Sequence, residues 1–294
     1  MKKRNAYPNA VNINASTEFP YLVRTAKDHV FSDGTVGFGV FHWHEDLQFI
    51  YVIEGEVCVK TLENEVIISS GEGAFVNKNV IHYSIGKSAT CSYKLFRFPE
   101  KFLSFYSGSP AEALTHAFTR NTNVTLVPLN KSEKWCVDAL MILKSLVKIE
   151  EENKNDKYYA SQVLISLSQL WLTLISNMDI PKQLPDDTAR KRIGLVLKFI
   201  ERNYQEDITL DDIAASANIS KSEVIRCFHN ILDTTPYKYL MDYRLSKAVD
   251  MLTDTEMSIR EIASCTGFNH QSYFGKCFKE KTGMSPIKFR KTKN

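Results

Sequence analysis

Histidine supplies the first chemical signal. His42 and His44 stand one residue apart, so on an extended strand both rings leave the same face, and His82 from a later β-rich run can bring a third imidazole beside them. Gln48 shares that face and adds an amide that both donates and accepts hydrogen bonds. Three neutral imidazoles can hold a divalent cation. They can equally line a pocket for a polar molecule, or be satisfied by hydrogen bonds inside a core.

A second set of side chains lies near the other end. Within Lys221 to Leu232, the residues Val224, Cys227, Phe228 and Ile231 recur at helical spacing and form a stripe to be buried. The opposite face offers Ser222, Arg226 and His229, with Lys221 and Ile225 beside them. In a later helix Phe274, Cys277 and Phe278 point inward, while Gln271, Ser272, Lys276 and Lys279 point out. Cationic, hydroxyl and amide groups on an exposed helix face pair with phosphates and with base edges. The charge agrees: from Arg190 onward 18 Lys/Arg stand against 13 Asp/Glu, with 19 against 21 before it. Such a basic end suits an anionic polymer.

Such faces need elements to position them. The region 191–294 repeats with a period of about fifty residues: Ile213-Ala214 returns as Ile262-Ala263, Phe228 as Phe278, Thr235-Pro236 as Ser285-Pro286 and Tyr239 as Phe289. Each copy predicts a short helix, a tight turn and a longer helix, the first over Leu210–Ala217 and Lys221–Leu232, which is helix-turn-helix geometry. A helix from Pro236 to Leu252, apolar at Met241, Leu245, Ala248, Val249 and Leu252, joins the copies. Readers facing one side of B-DNA would then enter major grooves about 34 Å apart. Helix caps are expected at Thr209, Ser220, Ser258 and Asn269, with capping boxes at Ser220–Glu223 and Ser258–Glu261.

Residues 1–130 read differently, as short β runs such as Phe49–Ile53, Val57–Val59 and Val66–Ile68, which favour a small barrel. Residues 131–178 predict a helical hairpin with arms Glu133–Glu150 and Lys157–Ser176. Val163, Leu167, Leu170 and Leu174, widened by Leu164, Trp171 and Ile175, give the second arm an apolar face for the chain's own barrel or for a second copy. Residues 179–190, with Pro181 and Pro185, read as a linker. The expected fold is multidomain α+β: a β-barrel with a helical hairpin, then an all-α domain of two helix-turn-helix units joined by a long helix.

The run Ile262-Ala263-x3-Gly267-Phe268-x4-Tyr273-Phe274-x3-Phe278-Lys279-x3-Gly283-x-Ser285-Pro286-x2-Phe289-Arg290 resembles the AraC/XylS signature, over about the last hundred residues. The resemblance implies double helix-turn-helix DNA binding. The first unit departs from the pattern at Asp233, where the family usually has Gly, and at His229 and Asn230, where it is usually basic. Residues Gly37 to Gly55, with His42-Trp43-His44, resemble the first cupin motif, and Gly71 to His82 a weaker second one. That resemblance implies a cupin-like sensor barrel. Cupins place a carboxylate where this chain has Gln48, a poorer ligand for a divalent ion, and Glu45 points to the other face of the strand. No metal and no catalytic residue is therefore expected, and His42, His44, Gln48 and His82 are assigned to an effector pocket.

With 294 residues, 44% of them hydrophobic and 24% charged, the chain can bury more than one core. No apolar run approaches the roughly 20 residues of a membrane span, and the basic start Met1–Asn9 is not followed by a signal-peptide core. A cytoplasmic location is expected. The six cysteines are scattered without a C-x-x-C pair, which argues for reduced thiols rather than zinc or redox chemistry. The sequence thus reads as a DNA-binding transcription regulator, without enzymatic activity or cofactor. Its expected partners are double-stranded promoter DNA, a second copy in a homodimer, a small polar effector such as a sugar, and RNA polymerase if it activates. The alternative is a metal-dependent cupin enzyme with a helical appendage.

Overall fold

The computed structural model describes residues 18–27, 39–179 and 188–292. The basic start, Gly37 and the prolines of the expected linker lie outside them. Among the described residues eight strands form two antiparallel sheets: β1 (Leu22–Lys27), β2 (Leu47–Glu54), β3 (Glu56–Thr61), β4 (Glu65–Ser69), β5 (Gly73–Val76), β6 (His82–Gly86), β7 (Ser92–Phe98) and β8 (Leu126–Leu129). The larger sheet runs β1-β7-β2-β5-β8 and the smaller β4-β3-β6. Strand β2 is buried from Leu47 through Val52, on both faces. Alternation explains why. Ile50 and Val52 meet Val57, Val59 and Ile68 of the smaller sheet, while Leu47 and Phe49 turn outward to Phe75, Phe96 and Phe98 under the helices. Gln48 therefore faces the barrel interior, with Arg97 as its direct partner across β2 and β7.

Three helices cover the outer face: α1 (Pro110–Thr119), α2 (Lys134–Glu152) and α3 (Tyr159–Ser176). The hairpin lies where its periodicity put it. Its stripe of Val163, Leu167, Leu170, Trp171 and Leu174 belongs to the barrel's own core, with Trp171 5.7 Å from Phe75 and 5.2 Å from Phe118 between ring centroids. That stripe is thus not free to form a seam with a second copy. The aliphatic side chains left exposed on α2 and α3 include Val137, Met141, Ile165 and Leu172.

Residues 188–292 are helical: α4 (Thr188–Asn203), α5 (Leu210–Ser216), α6 (Lys221–Leu232), α7 (Pro236–Asp254), α8 (Ile259–Cys265), α9 (Gln271–Thr282) and α10 (Pro286–Lys291). Helix α4 starts inside the stretch read as a linker. Helix α7 serves both units, giving Tyr239, Leu240 and Tyr243 to the first core and Leu245, Ala248, Met251 and Leu252 to the second. The repeat extends to backbone conformation: Asn218 and Gly267 are left-handed in the turns, and Asp233 and Gly283 are left-handed at the ends of α6 and α9.

Capping departs from expectation in two places. Thr209 and Asp212, like Ser258 and Glu261, form reciprocal boxes, but Ser220 caps α6 alone. The Glu223 carboxylate turns instead to Arg226 and to Arg192 at 3.6 Å. Helix α9 starts after His270 with no side-chain cap, so Asn269 does not cap it. The six cysteines are free thiols, and among the described residues no helix is long and apolar enough to cross a membrane.

Candidate nucleic-acid interface and interdomain cleft

Helices α6 and α9 bury one face and present the other. Val224, Cys227 and Phe228 are buried, as are Phe274 and Phe278, with Ile231 and Cys277 half-buried. Lys221, Ser222, Ile225, Arg226 and His229 are exposed on α6, and Gln271, Ser272, Lys276 and Lys279 on α9. Several of the cations have weak surface partners: Lys221 with Asp211 at 3.1 Å, Arg226 with Glu223, and Lys276 with Glu280 at 3.9 Å. Exposed pairs of this kind contribute about 0–1 kcal/mol, so phosphates can displace them.

In the barrel the four residues singled out by sequence meet. Ring centroids of His82 lie 4.6 Å from His42 and 5.0 Å from His44, and His42 and His82 exchange backbone hydrogen bonds at 2.9 Å. Gln48 Nε2 reaches His82 Nε2 at 3.3 Å. Arg97 completes the group: its Nε donates to Gln48 Oε1 at 2.7 Å and its Nη2 lies 2.9 Å from His42 Nε2. Burial holds all three imidazoles below their ordinary pKa, His82 at about 4, so they are neutral at physiological pH. Burial also lowers Arg97, to about 10, which leaves it charged.

A cleft of about 550 Å³ opens where the barrel meets α4 and α7. Arg24, His42 and Arg97 line it from the barrel, Glu201 from α4, and Tyr243, Lys247 and Asp250 from α7. Arg24 pairs with Asp250 at 2.8 Å, the Lys198 ammonium sits 4.1 Å above the Trp43 ring, and the Tyr239 hydroxyl donates to the Phe41 carbonyl. Glu201 is buried and its Oε1 has no hydrogen-bond partner among the described residues. Desolvation pushes its carboxyl up to about 8 against the opposing pull of Lys247. Of the four residues assigned to an effector pocket, only His42 lines this cleft; His44, Gln48 and His82 lie sealed behind it.

A family profile described as a helix-turn-helix domain matches residues 213–292, and one described as a cupin domain matches residues 31–93. The HTH-type transcriptional regulator YdeC of Bacillus subtilis (strain 168) is 26% identical over 257 residues, 87% of each chain. YisR of the same organism, also an HTH-type transcriptional regulator, is 25% identical over 82% of this chain and 84% of its own. ToxT from Vibrio cholerae strain SCE256 shares the fold, with a TM-score of 0.56 at 15% identity over 93% of this chain and 98% of its own. Its form bound to an unsaturated fatty acid gives 0.54 at 14% identity, over 92% of this chain and 94% of its own. The chain thus carries a helix-turn-helix domain of AraC type and a cupin domain, and over most of its length it is similar to HTH-type transcriptional regulators.

Helix α7 is tied to its neighbours by contacts the sequence did not announce. The hydroxyls of Tyr237 and Tyr273 lie 3.3 Å apart, and Lys281 pairs with Asp242 at 3.3 Å, each joining α7 to α9. Arg244 on α7 donates to the carbonyls of Tyr204 and Glu206, both at 2.7 Å, fastening α7 to the end of α4. Partners so far apart in the chain carry no local periodicity. Arg97 was missed for a related reason: its role follows from the β2–β7 register, and the one available signal was a lone Arg within a β-rich run.

Proposed function

We propose that this regulator reads double-stranded promoter DNA sequence-specifically through the exposed faces of α6 and α9, under the control of a small polar effector held in the interdomain cleft. The observation that supports this most is the double use of α7. One side fixes the two reading helices, while Tyr243, Lys247 and Asp250 on the other form a wall of the cleft. A ligand there touches the barrel and α7 together, so it favours whichever domain arrangement it binds better. Lys221, Ser222, Ile225, Arg226, His229, Gln271, Ser272, Lys276 and Lys279 are the proposed DNA contacts.

The donors Arg24, Arg97 and Lys247 suit hydroxyls or an acidic group, which a sugar or a small organic acid would bring. ToxT, with a similar fold, binds an unsaturated fatty acid. A homodimer formed through the helical hairpin, a cytoplasmic location, and contact with RNA polymerase where the regulator activates complete the reading. No enzymatic step is part of it.

Footprinting of the purified chain on its own upstream DNA tests the DNA half: discrete protection that survives moderate salt is expected, and protection alike on any sequence and lost with salt would refute it. A thermal-shift screen of polar metabolites tests the effector half. A ligand at 100 times its Kd should stabilise by about 2.7 kcal/mol, and the gain should shrink in Lys247→Ala.

A further inference from the structure

The three imidazoles are set as a metal would need them. Each Nδ1 is tied to a backbone carbonyl, His42 to Val40 at 3.1 Å, His44 to Asp46 at 2.7 Å and His82 to Val80 at 2.9 Å. A carbonyl only accepts, so each Nδ1 carries the proton and each Nε2 a lone pair. One ring nitrogen from each histidine lies within 4.8 Å of the other two. The cupin fold implies a metal ion at such a cluster, and the outer hydrogen bonds alone would fit one.

The inner contacts do not. In a tetrahedral site with metal–nitrogen bonds of about 2.0–2.1 Å, ligand nitrogens stand about 3.4 Å apart, so the cluster would have to contract around the ion. Two of its three lone pairs already accept hydrogen bonds. Arg97 Nη2 donates to His42 Nε2 at 2.9 Å, and Gln48 Nε2 donates to His82 Nε2 at 3.3 Å. The orientation of the Gln48 amide is fixed, because Arg97 Nε, a pure donor, takes its Oε1 at 2.7 Å. Only His44 Nε2, buried, has no partner among the described residues. Charge points the same way. A divalent ion here would face a guanidinium, with three neutral rings and a neutral amide as ligands and no carboxylate among them to offset it.

We propose that Arg97 has taken the cation's place: its guanidinium, gripped by His42 and by Gln48 across the β2–β7 register, fills the cluster and makes it exclude divalent metal ions. The histidines then serve as a socket that holds a fixed positive charge at the wall of the cleft. Residues 48 and 97 act as a unit, since they are direct partners on neighbouring strands. A carboxylate at position 48 alone would pair with Arg97 instead of a metal. Removing Arg97 while supplying the carboxylate should rebuild a site of three histidines and one acid.

The test uses the full chain, stripped with a chelator and titrated with Co(II), read by visible d–d absorption and by bound metal after desalting. The wild type and Gln48→Glu are expected to retain no stoichiometric cobalt. The double variant Gln48→Glu, Arg97→Met is expected to retain about one ion per chain with a four- or five-coordinate spectrum, lost again on His44→Phe. Stoichiometric cobalt or zinc in the wild type, removed by His44→Phe, would overturn the proposal. So would a double variant that melts and gives a circular dichroism spectrum like the wild type yet binds no cobalt. If the double variant does not fold, the wild-type titration decides by itself.

Discussion

On the proposed DNA-facing sides of α6 and α9, Arg226 and Lys279 are two exposed cations expected to differ in what they contact. The Arg226 guanidinium is parked on Glu223, one turn back on α6, and Glu223 also faces Arg192. A planar fork already oriented by a carboxylate can be transferred to the O6 and N7 of a guanine. Arg226→Ala is therefore expected to cost about 1–3 kcal/mol on the cognate promoter and to relax the preference at one base pair. Lys279, near the last turn of α9, is a point charge on a flexible stem. Lys279→Ala should weaken all DNA sequences alike and reduce the slope of log affinity against log salt by roughly one. Anisotropy titrations on the promoter and on single-base variants, at several salt concentrations, separate the two. Unchanged affinity in both variants would mean that other faces of these helices meet the duplex.

The turns between helices show how much an element asks of one residue. Gly267 has φ +81°, and a Cβ there would lie 2.6 Å from the Tyr204 carbonyl oxygen and 2.8 Å from Arg244 Nε. Backbone cannot yield cheaply, so Gly267→Ala should destabilise the second unit by about 2–4 kcal/mol. Asp233 is the opposite case, a non-glycine residue at φ 49° where the second copy has Gly283. Asp233→Gly should stabilise the first unit by about 0.5–1 kcal/mol. Chemical denaturation of both variants checks the pair, and equal signs would defeat the argument. The same elements show what a sequence discloses. The strands around Phe49–Ile53, the hairpin and the paired units were legible because apolar period reports which face is buried. Helix α1 was not, since its buried residues are Thr115, Phe118 and Thr119 and give little contrast. The histidine cluster was legible from residue type and spacing, but not as two rings on one strand: His42 makes only an isolated bridge to His82 and His44 precedes β2. Arg97 and Glu201 enter through register and domain contact, which leave no local pattern. Whether the hairpin's apolar stripe meets the barrel or a second copy is decided by tertiary packing, and the barrel takes it.

At the scale of the whole molecule, the barrel meets α4 and α7 at the cleft, and the hairpin keeps apolar side chains exposed. Ile165 and Leu172, seven residues apart on α3, remain exposed at 68% and 63% after the hairpin has packed on the barrel. They are the residues through which the proposed dimer would form, so Ile165→Asp with Leu172→Asp should give a monomer in sedimentation and leave the melting of the barrel nearly unchanged; a dimer that persists would move the seam elsewhere. At the joint between the barrel and α7 lies a buried carboxyl. Glu201, buried beside Lys247 with one carboxylate oxygen unpartnered among the described residues, holds its proton up to about pH 8, whereas an unfolded Glu releases it near 4.3. Between those values the folded chain binds the extra proton. The stabilisation is therefore complete below about pH 4.3 and is lost as pH rises through about 8. Glu201→Gln keeps the shape and removes the ionisation, so its melting temperature should depend less on pH from 5 to 9, and above pH 8 it should exceed the wild type by about 1 kcal/mol or more. Paired thermal scans across that range decide it: parallel curves would mean that the carboxyl is already ionised and satisfied by Lys247, and that the cleft carries its full negative charge at neutral pH.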